Sequence, residues 1–224
     1  LLLESTYGGK ENNTPERQTS DNELKKIVQD TIKRGGKVLI PTLGVGRSQE
    51  IMIVIENMVR TGVLDKIPIY IDGLIWDVTA IHTAYPEYLN NSIRKLIFHR
   101  DQNPFLSEIF KRVGSQEERR QVIEETGPCV ILATSGMLQG GPSVEYLRQL
   151  ADNKMNSMIF VNYQGEGSLG RRVQRGEREY MVHNGSSNEV VQIKLEVYTV
   201  EGFSGHSSRM QLLNFVSKCE PHPK

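Results

Sequence analysis

Four short apolar runs, separated by stretches with helical periodicity, constrain the fold of this chain more than any other feature of its sequence. They occupy residues 37–40, 67–71, 129–133 and 158–161. Runs that are apolar at nearly every position are typical of parallel strands buried on both faces of a sheet. The intervening segments instead space their apolar residues as a helix does, as Leu24, Ile27 and Val28 show. This alternation predicts an α/β fold built on a doubly wound, mainly parallel sheet.

The sequence also predicts where individual elements begin and end. Residues 20–23 have the form of a capping box, so the first helix is expected to start at Ser20 and to end at Gly35. Residues 1–3 read as an apolar strand, and residues 190–200 alternate as one long strand. The segment 100–125 is polar, with a helix predicted after Ser115.

The charge balance and the cysteine content exclude several classes of protein. Lys plus Arg and Asp plus Glu number 27 each, so a nucleic-acid site must be a local patch and not a general basic surface. Cys129 and Cys219 cannot build a disulfide framework, and they fit a reducing, cytoplasmic location. We find no signal peptide and no apolar run of transmembrane length, so no membrane partner is expected. The chain starts without methionine, and we expect it to be a piece of a longer protein.

Ligands of such sheets bind beyond the carboxyl ends of the strands, and three turns in this chain are candidates. Residues 44–49 depart from the dinucleotide-binding fingerprint, because Gln49 stands where a third glycine is expected. We therefore prefer a tight strand-to-helix turn at this point over a dinucleotide site.

The other two turns supply candidate phosphate-binding residues. Residues 133–143 are mostly small, which lets the backbone approach a ligand, and Pro142 suits the start of a helix with free N–H groups. A flexible loop is the alternative. Residues 163–178 place arginines at helical spacing along a possible phosphate path, although interleaved glutamates fit a solvated helix face equally well. The candidates from these turns are Ser135, Gly136, Gly141, Ser143, Arg171 and Arg172.

Each end of the chain places one polar side chain on a turn, Glu4 near the start and His206 near the finish. An imidazole beside a carboxylate can exchange protons near neutral pH, so the pair is a candidate catalytic site if the chain returns to its starting point. The alternatives are a carboxylate that caps a turn and a histidine without function. The remaining histidines are His82 in a helix, His99 after a strand and His183 before a turn, and each lacks a second ligand at metal-binding spacing. His222 lies between two prolines, and no function is expected of it.

Six short segments, in a fixed order over nearly the whole chain, together carry a family resemblance. They are ESTYG (4–8), LIPTLGVGR (39–47), ATSGM (133–137), GGPS (140–143), GRR (170–172) and FSGH (203–206). This set resembles the β-CASP group of metallo-β-lactamase-fold nucleases, and in particular the archaeal homologues of the cleavage and polyadenylation specificity factor endonuclease subunit.

The resemblance implies a Rossmann-like β-CASP domain at residues 10–199, flanked at 1–9 and 200–224 by pieces of a metallo-β-lactamase fold. It implies a zinc-dependent endoribonuclease that hydrolyses phosphodiester bonds in RNA 3′-end processing or RNA decay. Glu4 matches the first β-CASP motif and His206 the second, so that Glu4 orients or charges a histidine that assists the leaving group as a general acid. The implied partners are single-stranded RNA, the remainder of the same chain and, as an open alternative, a second copy in a homodimer.

The zinc-binding His-x-His-x-Asp-His motif of the family is absent from this sequence. We therefore expect no metal ligand here, with two zinc ions held elsewhere in the full-length protein, and no nuclease activity from the isolated chain. Two other functions remain open. One is a non-catalytic, RNA-binding scaffold of a processing complex, against which the presence of both Glu4 and His206 argues. The other is a nucleotide-cofactor domain, which Gln49 disfavours.

Overall fold

The computed structural model describes residues 1–12, 15–184 and 187–223, in which one six-stranded sheet and one two-stranded ribbon are formed. The strands of the sheet are β1 (Val38–Pro41), β2 (Ile69–Asp72), β3 (Phe110–Val113), β4 (Val130–Ala133), β5 (Ser157–Phe160) and β8 (Glu196–Thr199). They lie in the order β3-β2-β4-β1-β5-β8, and every neighbouring pair is parallel. The ribbon pairs β6 (Glu179–Asn184) with β7 (Ser187–Gln192) in antiparallel register. The predicted α/β class with a parallel sheet is confirmed.

Helices cover both faces of the sheet. They are α1 (Arg17–Lys33), α2 (Arg47–Arg60), α3 (Ile75–Ala84), α4 (Asn91–Arg100), α5 (Gln116–Glu124), α6 (Pro142–Leu150), α7 (Leu169–Gln174) and α8 (Arg209–Ser217), with 3-10 turns at Pro86–Tyr88 and Pro104–Leu106. Successive residues of β1 belong to different cores: Val38 and Ile40 pack with α1 and α2, whereas Leu39 packs with α6. Because β1 is buried on both faces, its successive residues are all apolar.

The turn after β1 depends on Gly46 and Gln49. Gly46 has a φ of 78°, a left-handed conformation that favours glycine. The Gln49 side chain is 2% exposed; its Oε1 accepts the Gly46 N–H at 2.7 Å, and its Nε2 donates to Thr79 Oγ1 of α3 at 3.0 Å. The residue that replaces a fingerprint glycine therefore caps α2 and joins it to α3. The preferred interpretation of a tight strand-to-helix turn is confirmed.

The first helix begins one turn earlier than predicted, at Arg17, and the prediction of a cap at Ser20 was wrong. Ser20 lies inside α1 and is 1% exposed. It faces Gly202, where an added Cβ atom would lie 2.1 Å from Ser20 Oγ. The small side chain at position 20 therefore serves close packing between α1 and the segment after β8.

Three further predictions are corrected by the structure. Residues 1–3 are exposed and form no strand with any of the described residues. Residues 190–200 are divided between β7 and β8, because the N–H groups of Lys194 and Leu195 both donate to the Ala151 carbonyl, at 2.7 and 2.9 Å. His99 lies near the end of α4 and does not follow a strand.

Strands β3 and β6 and helices α4 and α8 escaped the sequence analysis, and β3 and α4 show the physical reason. β3 is one of the two edge strands of the sheet, and its middle residues Lys111 and Arg112 are exposed, so it lacks the continuous apolar run of the central strands. α4 buries Ile93 alone among its residues, and such a helix has no apolar stripe to reveal it. The predicted helix after Ser115 is confirmed as α5, with Ser115 Oγ accepting the Glu118 N–H at 3.1 Å.

A polar network joins the carboxyl end of β2 to two helices. The Asp72 side chain, 3% exposed, accepts from Arg119 of α5 through Nε at 2.8 Å and Nη2 at 3.1 Å. Tyr146 of α6 donates its hydroxyl to Asp72 Oδ2 at 3.0 Å. Burial, together with the neighbouring Asp72 charge, raises the pKa of Tyr146, so the phenol remains a donor at all physiological pH values.

We expect Asp72→Asn to lower the free energy of unfolding by about 3 kcal/mol, because the Arg119 guanidinium loses its counter-charge in a largely buried position. The matched control is Glu117→Gln, which removes an exposed ion pair with Arg120 on the same helix and should cost about 0.5 kcal/mol. Urea denaturation measures both changes. Equal losses in the two variants would contradict the role given to Asp72.

Candidate functional site

The two ends of the chain meet beside the carboxyl edge of the sheet. Tyr7 and Ser208 form a parallel β-bridge, and Arg209 Nη1 donates to the Gly8 carbonyl at 2.6 Å. Gly8 is also close to Leu212 of α8, since an added Cβ atom would lie 3.7 Å from Leu212 Cδ1. These contacts bring the segments that carry Glu4 and His206 together.

Glu4 and His206 are within hydrogen-bond reach, as the sequence analysis predicted. His206 Nδ1 lies 3.2 Å from Glu4 Oε2. A carboxylate can only accept, so Nδ1 carries the proton in this contact, and Nε2 is the ring nitrogen that can exchange a proton with another group. Both side chains are about half exposed, at 54% for His206 and 44% for Glu4.

Backbone donors fix the Glu4 carboxylate in its charged form. Oε2 accepts the Thr6 N–H and Oε1 accepts the Ser207 N–H, each at 3.1 Å. These two hydrogen bonds, with a smaller contribution from His206, lower the pKa of Glu4 to about 2. Glu4 therefore remains an acceptor for the imidazole throughout the neutral and mildly acidic range.

His206 makes two further contacts, one through its backbone N–H and one through its ring. The backbone N–H of His206 donates to Ser204 Oγ at 3.1 Å, which closes the turn that carries the ring. The Tyr7 ring stands edge-on to the imidazole, with 5.9 Å between centroids and 80° between planes. The sequence analysis did not single out Tyr7, although it lies in the ESTYG segment.

The turn after β4 is tied down by hydrogen bonds, in contrast to the flexible loop considered as an alternative. Ser143 is fully buried, and its hydroxyl donates to the Ser135 carbonyl at 2.7 Å. Ser135 Oγ, in turn, accepts the Gln139 N–H at 3.1 Å. The candidates Ser135 and Ser143 thus use their side chains to hold this turn.

The two candidate glycines of the same turn allow close approach of protein atoms. A Cβ atom at Gly141, whose φ is 73°, would lie 2.8 Å from the Thr134 carbonyl oxygen. One at Gly136 would lie 2.8 Å from Asn162 Nδ2, and the Gly136 carbonyl accepts from Asn162 at 3.1 Å and from Gln164 at 2.8 Å. Gly136 is buried and Gly141 is exposed.

The candidate arginines occupy different sides of α7. Arg171 Nη1 donates to Gln174 Oε1 at 2.7 Å, and its Nε lies 3.4 Å from Glu166 Oε1. Arg172 Nε donates to Glu177 Oε2 at 2.7 Å, and half of its side chain is exposed. Both guanidinium groups therefore have carboxylate neighbours within the chain.

A cavity of about 510 Å³ opens beyond the carboxyl ends of β5 and β8. Arg171 lies on its wall, whereas Arg172 does not. Its lining includes Tyr7 and Ser204, both of which contact His206, and the exposed Tyr163, three residues after the end of β5. Sequence reasoning missed this cavity, since its walls come from segments far apart in the chain.

In the part of the chain that the structure describes, no group of three or more His, Cys, Asp or Glu side chains could hold a metal ion. His82 Nδ1 lies 2.9 Å from the Val78 carbonyl within α3, and the side chain of His183 lies outside the described residues. No helix in the described ranges is both long and apolar enough to cross a membrane.

Comparison with known proteins places these features in a family. The Beta-Casp domain family matches residues 48–173, and the Zn-dependent metallo-hydrolase RNA specificity domain matches residues 190–223. Among curated relatives, the transcription termination factor FttA of Methanocaldococcus jannaschii is 55% identical, that of a Lokiarchaeum species 53%, and that of Thermococcus kodakarensis 52%. Each alignment covers 100% of this chain and 35% of the relative, so the chain spans about a third of the length of these proteins. The chain therefore belongs to the β-CASP family.

Proposed function

We propose that this chain is the β-CASP portion of a zinc-dependent ribonuclease that cleaves single-stranded RNA by phosphodiester hydrolysis. In this proposal residues 10–199 form the inserted domain, and residues 1–9 and 200–224 belong to the surrounding metallo-β-lactamase fold. The names of the relatives support placing the cleavage at transcription termination, where it would produce RNA 3′ ends. The matched RNA specificity domain at residues 190–223 supports RNA as the substrate class.

The pairing of Glu4 with His206 carries the proposal. The two residues are 202 positions apart, and their contact at 3.2 Å is the kind of geometry in which a carboxylate orients a catalytic imidazole. The same carboxylate accepts two backbone N–H groups, so its direction toward the imidazole is fixed, which supports an orienting role for Glu4.

Within the site, His206 acts as a general acid. The protonated imidazole donates the Nε2 proton to the oxygen that leaves the phosphorus atom, and it ends as a neutral ring that keeps its Nδ1–H on Glu4. Glu4 stabilises the charged ring before transfer and fixes its orientation throughout, because the Thr6 and Ser207 N–H groups hold the carboxylate.

The residues present do not fit a zinc site, because the described part of the chain offers no cluster of ligating side chains. The two zinc ions of the proposed enzyme would therefore be bound by the remainder of the full-length chain. The roles of Glu4 and His206 need no metal contact of their own.

We expect His206→Ala in the full-length protein to slow RNA cleavage by roughly two to four orders of magnitude, because the leaving oxygen loses its proton donor. Glu4→Gln should cost less, since the imidazole remains and loses only its orienting charge. Single-turnover cleavage assays measure both rates, and metal analysis should find an unchanged zinc content.

The control for this experiment is His99→Ala, which removes an exposed histidine of α4 and should leave the rate unchanged. A loss of zinc in His206→Ala would make His206 a metal ligand and overturn its assigned role. Full termination activity in a cleavage-dead His206→Ala protein would favour the alternative of a non-catalytic RNA-binding scaffold.

The Glu4 carboxyl should titrate near pH 2, well below the ordinary value of 4.5, because two backbone N–H groups stabilise the carboxylate. Because the pKa is lowered, these hydrogen bonds stabilise the contact between the Glu4 segment and the Ser207 segment above about pH 4.5. This stabilisation is lost as the pH falls through about 2. A carbon-detected NMR titration of the side-chain carboxyl measures the midpoint. A midpoint near 4.5 would show that the carboxylate is not held in this way.

Arg171→Ala and Arg172→Ala should each weaken RNA binding to a similar degree for different RNA sequences, because both arginines are proposed to contact backbone phosphates. Each lost contact should flatten the plot of log affinity against log salt concentration by roughly 0.7. Arg120→Ala serves as the control, since Arg120 is an exposed arginine of α5 that does not line the cavity on whose wall Arg171 lies. Unchanged affinity and slope in both test variants would assign the arginines to a solvated helix face.

A further inference from the structure

We propose that the cavity beyond the carboxyl ends of β5 and β8 is a pocket for one unpaired nucleobase of the RNA, next to the bond on which His206 acts. The inference rests on the proposed function, and it adds a binding site and a recognition residue, Tyr163, to that function.

The position and the size of the cavity suit a nucleoside. In open α/β sheets, ligands bind in the crevice outside the carboxyl ends of the strands, and Asn162 after β5 and Val200 after β8 both line this cavity. Its volume of about 510 Å³ lies within the range of roughly 300–1,000 Å³ that is usual for small-molecule pockets. A single base with its ribose fits this space, whereas a paired helix does not.

The cavity shares a wall with the catalytic imidazole. Tyr7 lines the cavity and also stands edge-on to His206, with 5.9 Å between ring centroids. Ser204 lines it as well, and its hydroxyl accepts the His206 N–H at 3.1 Å. A base bound here would therefore belong to a nucleotide adjacent to the scissile phosphate.

The charges of the cavity favour a base over a phosphate. Its charged lining residues are Glu11, Glu201 and Arg171. The two carboxylates outnumber the one guanidinium, whose Nε lies 3.4 Å from Glu166 Oε1. The neutral base is therefore the better occupant of the cavity, and Arg171 on the wall remains available to the backbone phosphate next to that base.

Tyr163 offers the stacking surface. Its side chain is 71% exposed at the cavity wall, although a ring of this size is normally at least partly buried. Single-stranded RNA is commonly recognised by bases that leave the stack and lie against aromatic rings. The neighbouring Asn162 donates its amide to Gly136, but its buried Oδ1 has no hydrogen-bond partner among the described residues. Asn162 therefore serves to hold the cavity wall to Gly136, and the contact with the base is assigned to the Tyr163 ring.

The test uses the full-length protein and a set of RNA substrates that each carry one abasic nucleotide, placed in turn at every position around the cleavage site. We expect one position adjacent to the scissile bond to lower kcat/KM by roughly 10- to 100-fold, the usual value of one stacked base. Tyr163→Ala should produce a similar loss on intact RNA and no additional loss on that abasic substrate. Tyr163→Phe should cleave normally, because the ring remains.

The control variant is Tyr88→Ala, which removes another highly exposed tyrosine, 84% exposed on the Pro86–Tyr88 turn, and should change nothing. Normal cleavage of every abasic substrate, or a Tyr163→Ala defect that adds to the abasic defect, would overturn the pocket while the proposed nuclease survives. A wild-type protein that cleaves no RNA would instead refute the proposed function. Binding affinities for the same RNAs test the pocket directly. If the pocket binds the base, Tyr163→Ala weakens binding of intact RNA but leaves unchanged the binding of the abasic RNA that is cleaved poorly by the wild-type protein.

Discussion

One exposed carboxylate, that of Glu4, connects the two ends of the chain at the point where the proposed chemistry occurs. An isolated ion pair at such exposure contributes little stability, because water and salt screen it. Glu4 differs because it accepts from the backbone of both segments, Thr6 on one side and Ser207 on the other. These donors cannot rotate away, so the carboxylate has a defined direction before the imidazole is considered. The Tyr7–Ser208 bridge and the hydrogen bond from Arg209 to the Gly8 carbonyl hold the same two segments together a few residues further along.

The sequence predicted the centre of the fold well and its margins poorly, for two physical reasons. β1 and β4 are buried on both faces, so their residues are apolar without interruption and are visible as strands. β3 has a partner on one side alone and exposes its middle residues, and a half-buried edge has the composition of a loop. The break between β7 and β8 depends on the Ala151 carbonyl, more than 40 residues earlier, which no local pattern can reveal. Ser20 illustrates the same limit, since its neighbour Gly202 is distant in sequence.

The candidate site, like the fold, could be predicted from the sequence only in part. Motif resemblance identified Glu4 and His206, and the structure brings them together. The motif resemblance could not separate the roles of Arg171 and Arg172, which are adjacent in sequence. In the structure they differ in their carboxylate neighbours and in their access to the cavity. Tyr163 carried no signal at all, because a tyrosine after a strand is ordinary until the walls around it are known. Sequence reasoning misses a residue when its function depends on a cavity that several distant segments enclose.

The order of strands in the sheet has a consequence for how the chain reaches its native state. β1 is the first strand in sequence, yet it lies near the middle, with Val38 beside Val130 of β4 on one side and Ser157 of β5 on the other. During synthesis its three apolar residues emerge long before either neighbour exists, and both edges of the strand remain without hydrogen-bond partners. Non-local pairing of this kind slows folding, and an unpaired apolar strand is a template for association with other chains. A ribosome-bound nascent chain that ends before β4 would therefore be a preferred client of chaperones.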